Sequence, residues 1–245
     1  MSIARYQRLS RVYDMDWGDF SLQYVDLIRY VLDRLGIDKA RVLDLGCGTG
    51  VLAVELGKAG HIVHGIDISP HMIQVAGSKS SEMHNVSFEL GDMTGFELNR
   101  KFDVAACAFD SINYLLDLDE VRDMFECTHR ALDTSGVFVF DSNTRRLYRK
   151  YNGMKHAYHL GDERFIQEVS YNSRKEQALT TFEFMDGEVE KHRQRPYDLK
   201  ELRPLLKETG FRVMNLYRNF KRKRYNRRTE RLICVAQKQG RNEGE

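Results

Sequence analysis

The sequence predicts a doubly wound α/β fold: an open, mostly parallel sheet with helices on both faces and an added antiparallel β insertion. Three observations predict it. Strand-like apolar runs alternate with helix-period segments from residue 41 to residue 141, the βαβ order that a parallel sheet requires. The first run, Val42-Leu43-Asp44-Leu45, stops in a glycine-rich turn, Gly46-Cys47-Gly48-Thr49-Gly50, which opens a helix. Between residues 157 and 195 the period changes to two, and Asp186-Gly187 supplies a hairpin turn.

The elements follow in order. Residues 19–36 read as a helix, with Leu22, Val25, Leu27-Ile28, Val31-Leu32 and Leu35 near a 3.6 period and Gly36 as its stop. Arg41 to Leu45 is a continuous apolar strand, as expected in the middle of a parallel sheet covered on both faces. Residues 49–59 read as a helix and 62–66 as the second strand. Ser69 caps and Pro70 opens the next helix, which runs to about residue 83. Val86 to Leu90 and Phe102 to Ala108 are the third and fourth strands, 118–133 is a helix, and Gly136 to Asp141 is the fifth strand. Asp198 caps a helix over 198–209, and Phe211–Phe220 with Thr229–Ala236 form a final hairpin at the sheet edge. This divides the chain into an N-terminal helical lid segment (1–37), a cofactor-binding core (38–141), an antiparallel insertion at the substrate region (142–197) and a completion of the core sheet (198–239).

Composition narrows the function classes. The chain has 245 residues, 42% hydrophobic and 30% charged, enough for one substantial core. No apolar run approaches membrane-spanning length, and Met1 to Tyr6 lacks the apolar core of a signal peptide, so a cytoplasmic location is the expectation. Cys47, Cys107, Cys127 and Cys234 form no close pair and are expected as reduced residues in or beside the core. The net charge of +2 is unevenly spread. Arg218, Lys221, Arg222, Lys223, Arg224, Arg227, Arg228 and Arg231 crowd one stretch, opposed there by Glu230, and the tail 241–245 is expected to fray.

The glycine turn and Asp67 describe a nucleotide-type cofactor cradle. Glycine permits tight turning and close approach of main chain to a ligand, and the end of a parallel strand is where ligands bind in this architecture. Asp67, seventeen residues after Gly50, ends the next strand, where a carboxylate can accept both hydroxyls of a ribose. The spacing is Gly-Cys-Gly-Thr-Gly rather than Gly-x-Gly-x-x-Gly. Asp44, just before the turn, would repel a diphosphate and suits a positively charged ligand or its amino group. These points favour S-adenosylmethionine over a dinucleotide.

Val42 to Gly50, with Asp67, resembles the class I S-adenosylmethionine-dependent methyltransferases. So do Gly91-Asp92-Met93, Phe102-Asp103-Val104 followed by Phe109 to Tyr114, Ala131-Leu132 with Gly136 to Asp141, and Leu206 to Phe211. The resemblance covers roughly residues 38–141 and 197–237 and is closest in character to the small-molecule enzymes of that family. It implies a seven-stranded, Rossmann-like sheet, S-adenosylmethionine as methyl donor and S-adenosylhomocysteine as product. It places Gly46, Cys47, Gly48 and Gly50 under the cofactor, with Asp44 at its amino group. Asp67 and Ile68 take the ribose side and Asp92 the adenine, with Met93 as a packing wall. Ala108 and Phe109 line the methionine end, and Tyr13, in an N-terminal lid segment, reaches the same end. Asp103 is read as structural.

On the substrate side, Asp110, Asn113 and Tyr114 are the candidates beside the methyl group, with base as one role for Asp110 and loop support as the other reading of Ser111 and Asn113. Tyr6 is a second lid residue, while Trp17 and Phe20 are read equally as lid and as helix packing. Arg145, Tyr148, Tyr171, His192, Arg193, Arg195 and Tyr197 are candidate substrate contacts, and only one side of His192 to Arg195 can face a pocket. His156, His159 and His192 lack metal spacing, so no metal is expected. The acceptor is expected to be a small molecule with a nitrogen or oxygen nucleophile. The Asn-Pro-Pro-Tyr motif of many DNA and protein amino-group methylases is absent. RNA, through the basic 218–231 hairpin, is the alternative acceptor. A cofactor-binding protein without catalysis is the non-enzyme alternative, and oligomeric state is left open.

Overall fold

The computed structural model describes residues 6–240; the tail 241–245 lies outside them. Helix α1 (Tyr13–Leu35) begins at Tyr13 rather than residue 19. Asp14 and Asp16 favour that early start, since carboxylates stabilise the positive end of a helix. Its buried stripe is Tyr24, Val25, Leu27, Ile28, Val31 and Leu32, and Gly36, at φ 67°, ends it. Tyr13 is therefore the first helical residue, not part of a segment preceding the helix.

The core follows the predicted alternation: β1 (Arg41–Leu45), α2 (Val51–Lys58), β2 (Ile62–Asp67), α3 (Pro70–Lys79), β3 (Val86–Leu90), β4 (Phe102–Cys107), α4 (Leu118–Ala131) and β5 (Leu132–Asn143). Ser69 Oγ accepts from the Met72 amide at 3.3 Å with Pro70 at the first helical position, as read from the sequence. Helix α3 stops at Lys79, short of residue 83. Asp103 is structural as expected, accepting the Arg41 amide at 2.7 Å and pairing with its guanidinium at 2.6 Å.

A short helix α5 (Arg145–Tyr151), unpredicted, leads into an antiparallel sheet of β6 (Lys155–Leu160), β7 (Glu163–Asn172), β8 (Gln177–Phe184) and β9 (Val189–Gln194). The chain then forms α6 (Leu199–Glu208), β10 (Phe211–Tyr217) and β11 (Arg231–Lys238). Asp198 and Glu201 form a capping box on α6. The main sheet has seven strands in the order β10-β11-β5-β4-β1-β2-β3, of which only β11 runs against the rest, between β5 and β10. Strand alternation packs its two faces. Val104, Ala106, Val137 and Val139 face α1 and α2, while Ala105, Cys107, Phe138 and Phe140 face α4 and α6. All four cysteines are buried free thiols.

Strand order reverses between β1 and β4, so a crevice opens at their C-terminal ends. A third apolar cluster closes it: Leu9 and Val12 pack on Phe165, Phe182 and Phe184 of the inserted sheet, with Trp17 at its edge. Arg145, a candidate substrate contact, instead anchors the insertion, with ion pairs to Glu176 (2.5 Å), Asp198 (2.7 Å) and Glu201 (2.5 Å). Arg195 pairs with Glu201 at 2.9 Å and stacks on Tyr197, whose hydroxyl donates to the Leu115 and Asp117 carbonyls. These groups hold the insertion in place and do not reach the crevice. Among the described residues, no helix is long and apolar enough to cross a membrane.

Candidate active site

The glycine turn is built by its own main chain. Gly46, Gly48 and Gly50 lie at φ 66°, 54° and 77°, a region side chains disfavour. At Gly50 a Cβ would also stand 2.6 Å from the Phe88 ring. The Gly46 and Cys47 amides both donate to the Ile66 carbonyl, at 2.8 and 3.0 Å. Asp67 ties the turn to the end of β2: one carboxylate oxygen accepts the Gly48 amide and the other the Ser69 amide, each at 2.8 Å. Each oxygen retains a further lone pair for a ligand hydroxyl. Burial pushes the Asp67 carboxyl upward, against the pull of those two amides.

A cavity of about 270 Å³ sits over this turn. Gly46, Cys47 and Gly48 form its floor, Asp67 and Ile68 one wall, and Asp92 and Met93 another. Ala108 and Phe109 enter from the end of β4, Tyr13 and Tyr24 from α1, and Tyr114 from the 3₁₀ turn Ser111–Tyr114. Gly50 shapes the turn from behind and is not on the wall, which corrects the expectation of a direct cofactor contact. Asp92 stands exposed at the rim and accepts from Thr94 through one carboxylate oxygen. Ser21, Tyr24 and Ser111 also line the cavity; only the three-dimensional crossing of α1 over the crevice exposes the first two.

Asp44 is the unusual group. It is 1% exposed, and its Oδ2 has no hydrogen-bond partner. Burial, with a contribution from Asp67, pushes its carboxyl up to about 8. A buried carboxylate without a counter-charge is costly, so a cationic ligand group on the cavity floor is what this residue lacks.

A second, inner chamber of about 100 Å³ adjoins the first and shares Tyr6, Tyr13, Phe109 and Tyr114 with it. Phe109 and Asp110 are successive residues at φ 60° and 52°, a strained conformation that its surroundings must hold. The Asp110 amide donates to both carboxylate oxygens of Asp141, and Gln194 Nε2 donates to the Asp110 carboxylate at 2.9 Å. Arg231 pairs with Asp110 at 2.8 Å and with Asp141. Asp110 thus faces the inner chamber, not the donor cavity, and does so as part of a buried ion cluster, not as a free base. Burial pushes its carboxyl up, with Arg231 pulling it down and Asp141 adding to the rise.

Asn113 is a correction. It is fully buried and lines neither cavity. Its Nδ2 donates to the Asn143 and Arg195 carbonyls at 3.0 and 2.7 Å, and its Oδ1 accepts the Asn143 amide at 2.9 Å. It staples the turn after β4 to β5 and the insertion, the loop-support reading. Tyr114 lies on both cavity walls, its hydroxyl 2.8 Å from His192 Nδ1 and bonded to the Tyr6 hydroxyl.

Among the insertion candidates, His192 faces the inner chamber, while Arg193 points away on the exposed face of β9. Tyr148 acts at one remove, donating to Gln194 Oε1 at 3.1 Å, and Tyr171 stacks on Tyr148. The spacing Glu190-x-His192-x-Gln194 carried the signal for the missed Glu190 and Gln194, since alternate residues share a face. His156 and His159 are exposed on β6, and among the described residues no group of three or more metal-ligating side chains is gathered. Arg231 leaves the basic stretch altogether: half-buried, it lies between Asp110 and Asp141 and packs over the Phe20 and Phe109 rings.

Residues 42–136 match a family model described as a methyltransferase domain. A protein of Geobacillus sp. (strain WCH70) named as a methyltransferase is 32% identical over 210 residues, covering 81% of this chain and 84% of its own length. An S-adenosylmethionine-dependent methyltransferase structure from Clostridium acetobutylicum ATCC 824 superposes with TM-score 0.81 at 24% identity, covering 96% of this chain and 99% of that one. An amino pentose methyltransferase from Micromonospora echinaspora, solved with S-adenosylmethionine bound, gives TM-score 0.69 at 20% identity over 97% and 98% of the two chains. The donor's chemistry fits the cavity: its ammonium would answer the orphaned Asp44 carboxylate, and its ribose hydroxyls would answer the lone pairs left on Asp67. Sheet order, cradle and relatives agree, and the chain belongs to the class I S-adenosylmethionine-dependent methyltransferases.

Proposed function

We propose that this enzyme methylates a nitrogen or oxygen of a small molecule. The observation that carries the reading is the pair of adjoining cavities. The second chamber, about 100 Å³, shares Tyr6, Tyr13, Phe109 and Tyr114 with the donor cavity and has the size of a compact acceptor. When bound, the donor supplies an electrophilic methyl group on a positively charged sulfur. Asp67 holds the ribose, Asp44 the amino group and the Asp92–Met93 segment the adenine. Phe109, Tyr13 and Tyr114, shared by both cavities, orient the reacting ends, and orientation alone is a large source of rate.

The N-terminal segment excludes water from this arrangement. Arg8 pairs with Glu163 at 2.6 Å and with Asp186 and Glu188, and Glu190 accepts the Arg8 and Leu9 amides at 2.5 and 3.1 Å. At its other end Asp14 bonds to Thr49 at 2.5 Å and pairs with Lys79. The segment is thus fastened both to the insertion and to the core.

The basic stretch supports an RNA acceptor less well. Lys221, Arg222, Lys223, Arg224, Arg227 and Arg228 are exposed, and none of residues 218–230 lines either cavity. Labelled donor incubated with a metabolite extract and, separately, with total RNA tests the reading. Label is expected in low-molecular-mass compounds. Label in RNA alone, lost when Lys221 to Arg224 are neutralised, would overturn it.

A further inference from the structure

The inner chamber has a chemical character of its own. Six aromatic rings wall it: Tyr6, Tyr13, Trp17, Phe109, Tyr114 and Phe182. Tyr13 and Trp17 pack at 5.2 Å between centroids, and Trp17 meets Phe182 edge-on at 6.4 Å. Asp110 is the carboxylate on the wall. Behind it lies Asp141, and behind His192 lies Glu190, both no more than 1% exposed. Arg231 is already shared by Asp110 and Asp141. Three carboxylates around a small aromatic box, with one guanidinium among them, favour a cation inside it, since aromatic faces and unneutralised carboxylates both attract positive charge.

A chain of polar atoms leads out of the box. The Tyr114 hydroxyl meets His192 Nδ1 at 2.8 Å. On the far side of the ring, His192 Nε2 faces Glu190 Oε2 at 3.6 Å, and neither atom has a hydrogen-bond partner. Glu190 is held in that position through its other oxygen by the Arg8 and Leu9 amides. This arrangement puts the imidazole proton on Nε2, toward the carboxylate, and leaves Nδ1 to accept from Tyr114.

Resting on the small-molecule reading above, we propose that the inner chamber binds a primary or secondary amine as its cation, and that Tyr114, His192 and Glu190 remove its proton before methyl transfer. The ammonium gives a proton to the Tyr114 oxygen as the Tyr114 hydroxyl proton passes to His192 Nδ1. The products are a neutral amine and an imidazolium facing Glu190. The nitrogen lone pair then forms the C–N bond while the C–S bond breaks and leaves its electrons on sulfur. A methylated ammonium and a neutral thioether result, and His192 returns its proton to solvent on product release.

The surrounding groups suit these roles. Burial pushes the Tyr6 phenol well above its ordinary range, so Tyr6 stays a hydroxyl. Burial pushes Glu190 up, but His192 and the Arg8 and Leu9 amides outweigh it and hold the carboxyl below its usual range. An amine, with a pKa of about 10.4, lies far nearer to imidazole than an aliphatic alcohol does, so a proton relay through imidazole suits an amine acceptor. The titratable groups facing His192 are Tyr6, Tyr114 and Glu190, with Asp110 and Tyr13 across the chamber; from β8, Phe182 presents an apolar ring.

Trp17 is the chain's one tryptophan and lies on the chamber wall, so its emission reports occupancy without donor present. The full-length protein is titrated with cyclohexylamine and with cyclohexanol. The amine is expected to shift the emission saturably, at least tenfold tighter than the alcohol, and Asp110→Asn to abolish the preference. Equal affinity for the two, or no saturable response to the amine, would overturn the cation site using the wild-type protein alone. His192→Gln and Glu190→Gln are expected to displace the acid limb of turnover with amine acceptors upward by at least one pH unit; an unmoved limb would overturn the relay. Amine binding with methylation found only on RNA would sink the small-molecule reading and spare the cation site. Methylated hydroxyl metabolites with alcohols bound preferentially would do the reverse.

Discussion

Asp67→Ala is expected to weaken S-adenosylmethionine and S-adenosylhomocysteine binding by about two to three orders of magnitude without unfolding the protein. Hydrogen bonds to a charged acceptor contribute about 1.5–3 kcal/mol each, and two ribose hydroxyls in the lower part of that range together reach about 3–4 kcal/mol, at about 1.4 kcal/mol per tenfold in affinity. The structure adds a second loss, because the same carboxylate receives the Gly48 and Ser69 amides and so holds the glycine turn against β2. Asp67→Asn is expected to lose nearly as much, since one of its two terminal atoms is a donor facing an N–H. Calorimetric titration with the product reads both variants, and circular dichroism confirms their fold. Unchanged affinity would reject the ribose role.

Asp44→Asn is expected to act in opposite directions on the free and the donor-bound protein. The folded-state carboxyl is pushed up to about 8 by burial, above the ordinary aspartate value of about 3.9 in the unfolded chain. Between those values the folded state holds a proton that the unfolded state has lost. Stability therefore falls as pH rises, by up to about 1.4 kcal/mol per pH unit from this one group, and the penalty is complete above pH 8. The asparagine variant, free of donor, should melt higher than wild type at pH 8 and lose less stability between pH 5 and 8. Its donor affinity should fall by at least tenfold, because the ligand's ammonium loses its counter-charge. Melting curves across that range, with and without product, check both signs. A variant less stable than wild type at pH 8 without donor would show that Asp44 is compensated within the protein.

The parts of the fold legible in the sequence were those specified by neighbours in the chain. The Ser69-Pro70 start, the Asp198 cap, the Gly36 stop and the glycine turn each rest on chemistry within a few residues. The candidate donor cradle was laid out for the same reason: in a parallel sheet, the ends of β2, β3 and β4 bring Asp67, Asp92 and Ala108 to one cavity. What escaped depends on partners distant in sequence. Base stayed among the roles of Asp110 because its guanidinium, Arg231, comes from β11 across β5, and Arg231 read as surface charge for the same reason. Arg145 and Asn113 carry side chains typical of a substrate site, yet both are consumed in fastening the insertion to the core. The early start of α1 was missed because Tyr13 and Trp17 point toward the crevice and the insertion, not along the stripe that packs on the sheet.

A crystal structure of the full chain with S-adenosylhomocysteine is the most direct test. The account predicts both ribose hydroxyls on Asp67, the amino group beside Asp44, and the sulfur turned toward the opening among Tyr13, Phe109 and Tyr114. A nucleoside bound away from Asp67, or an amino-acid end directed out of the crevice with Asp44 still unpaired, would contradict it.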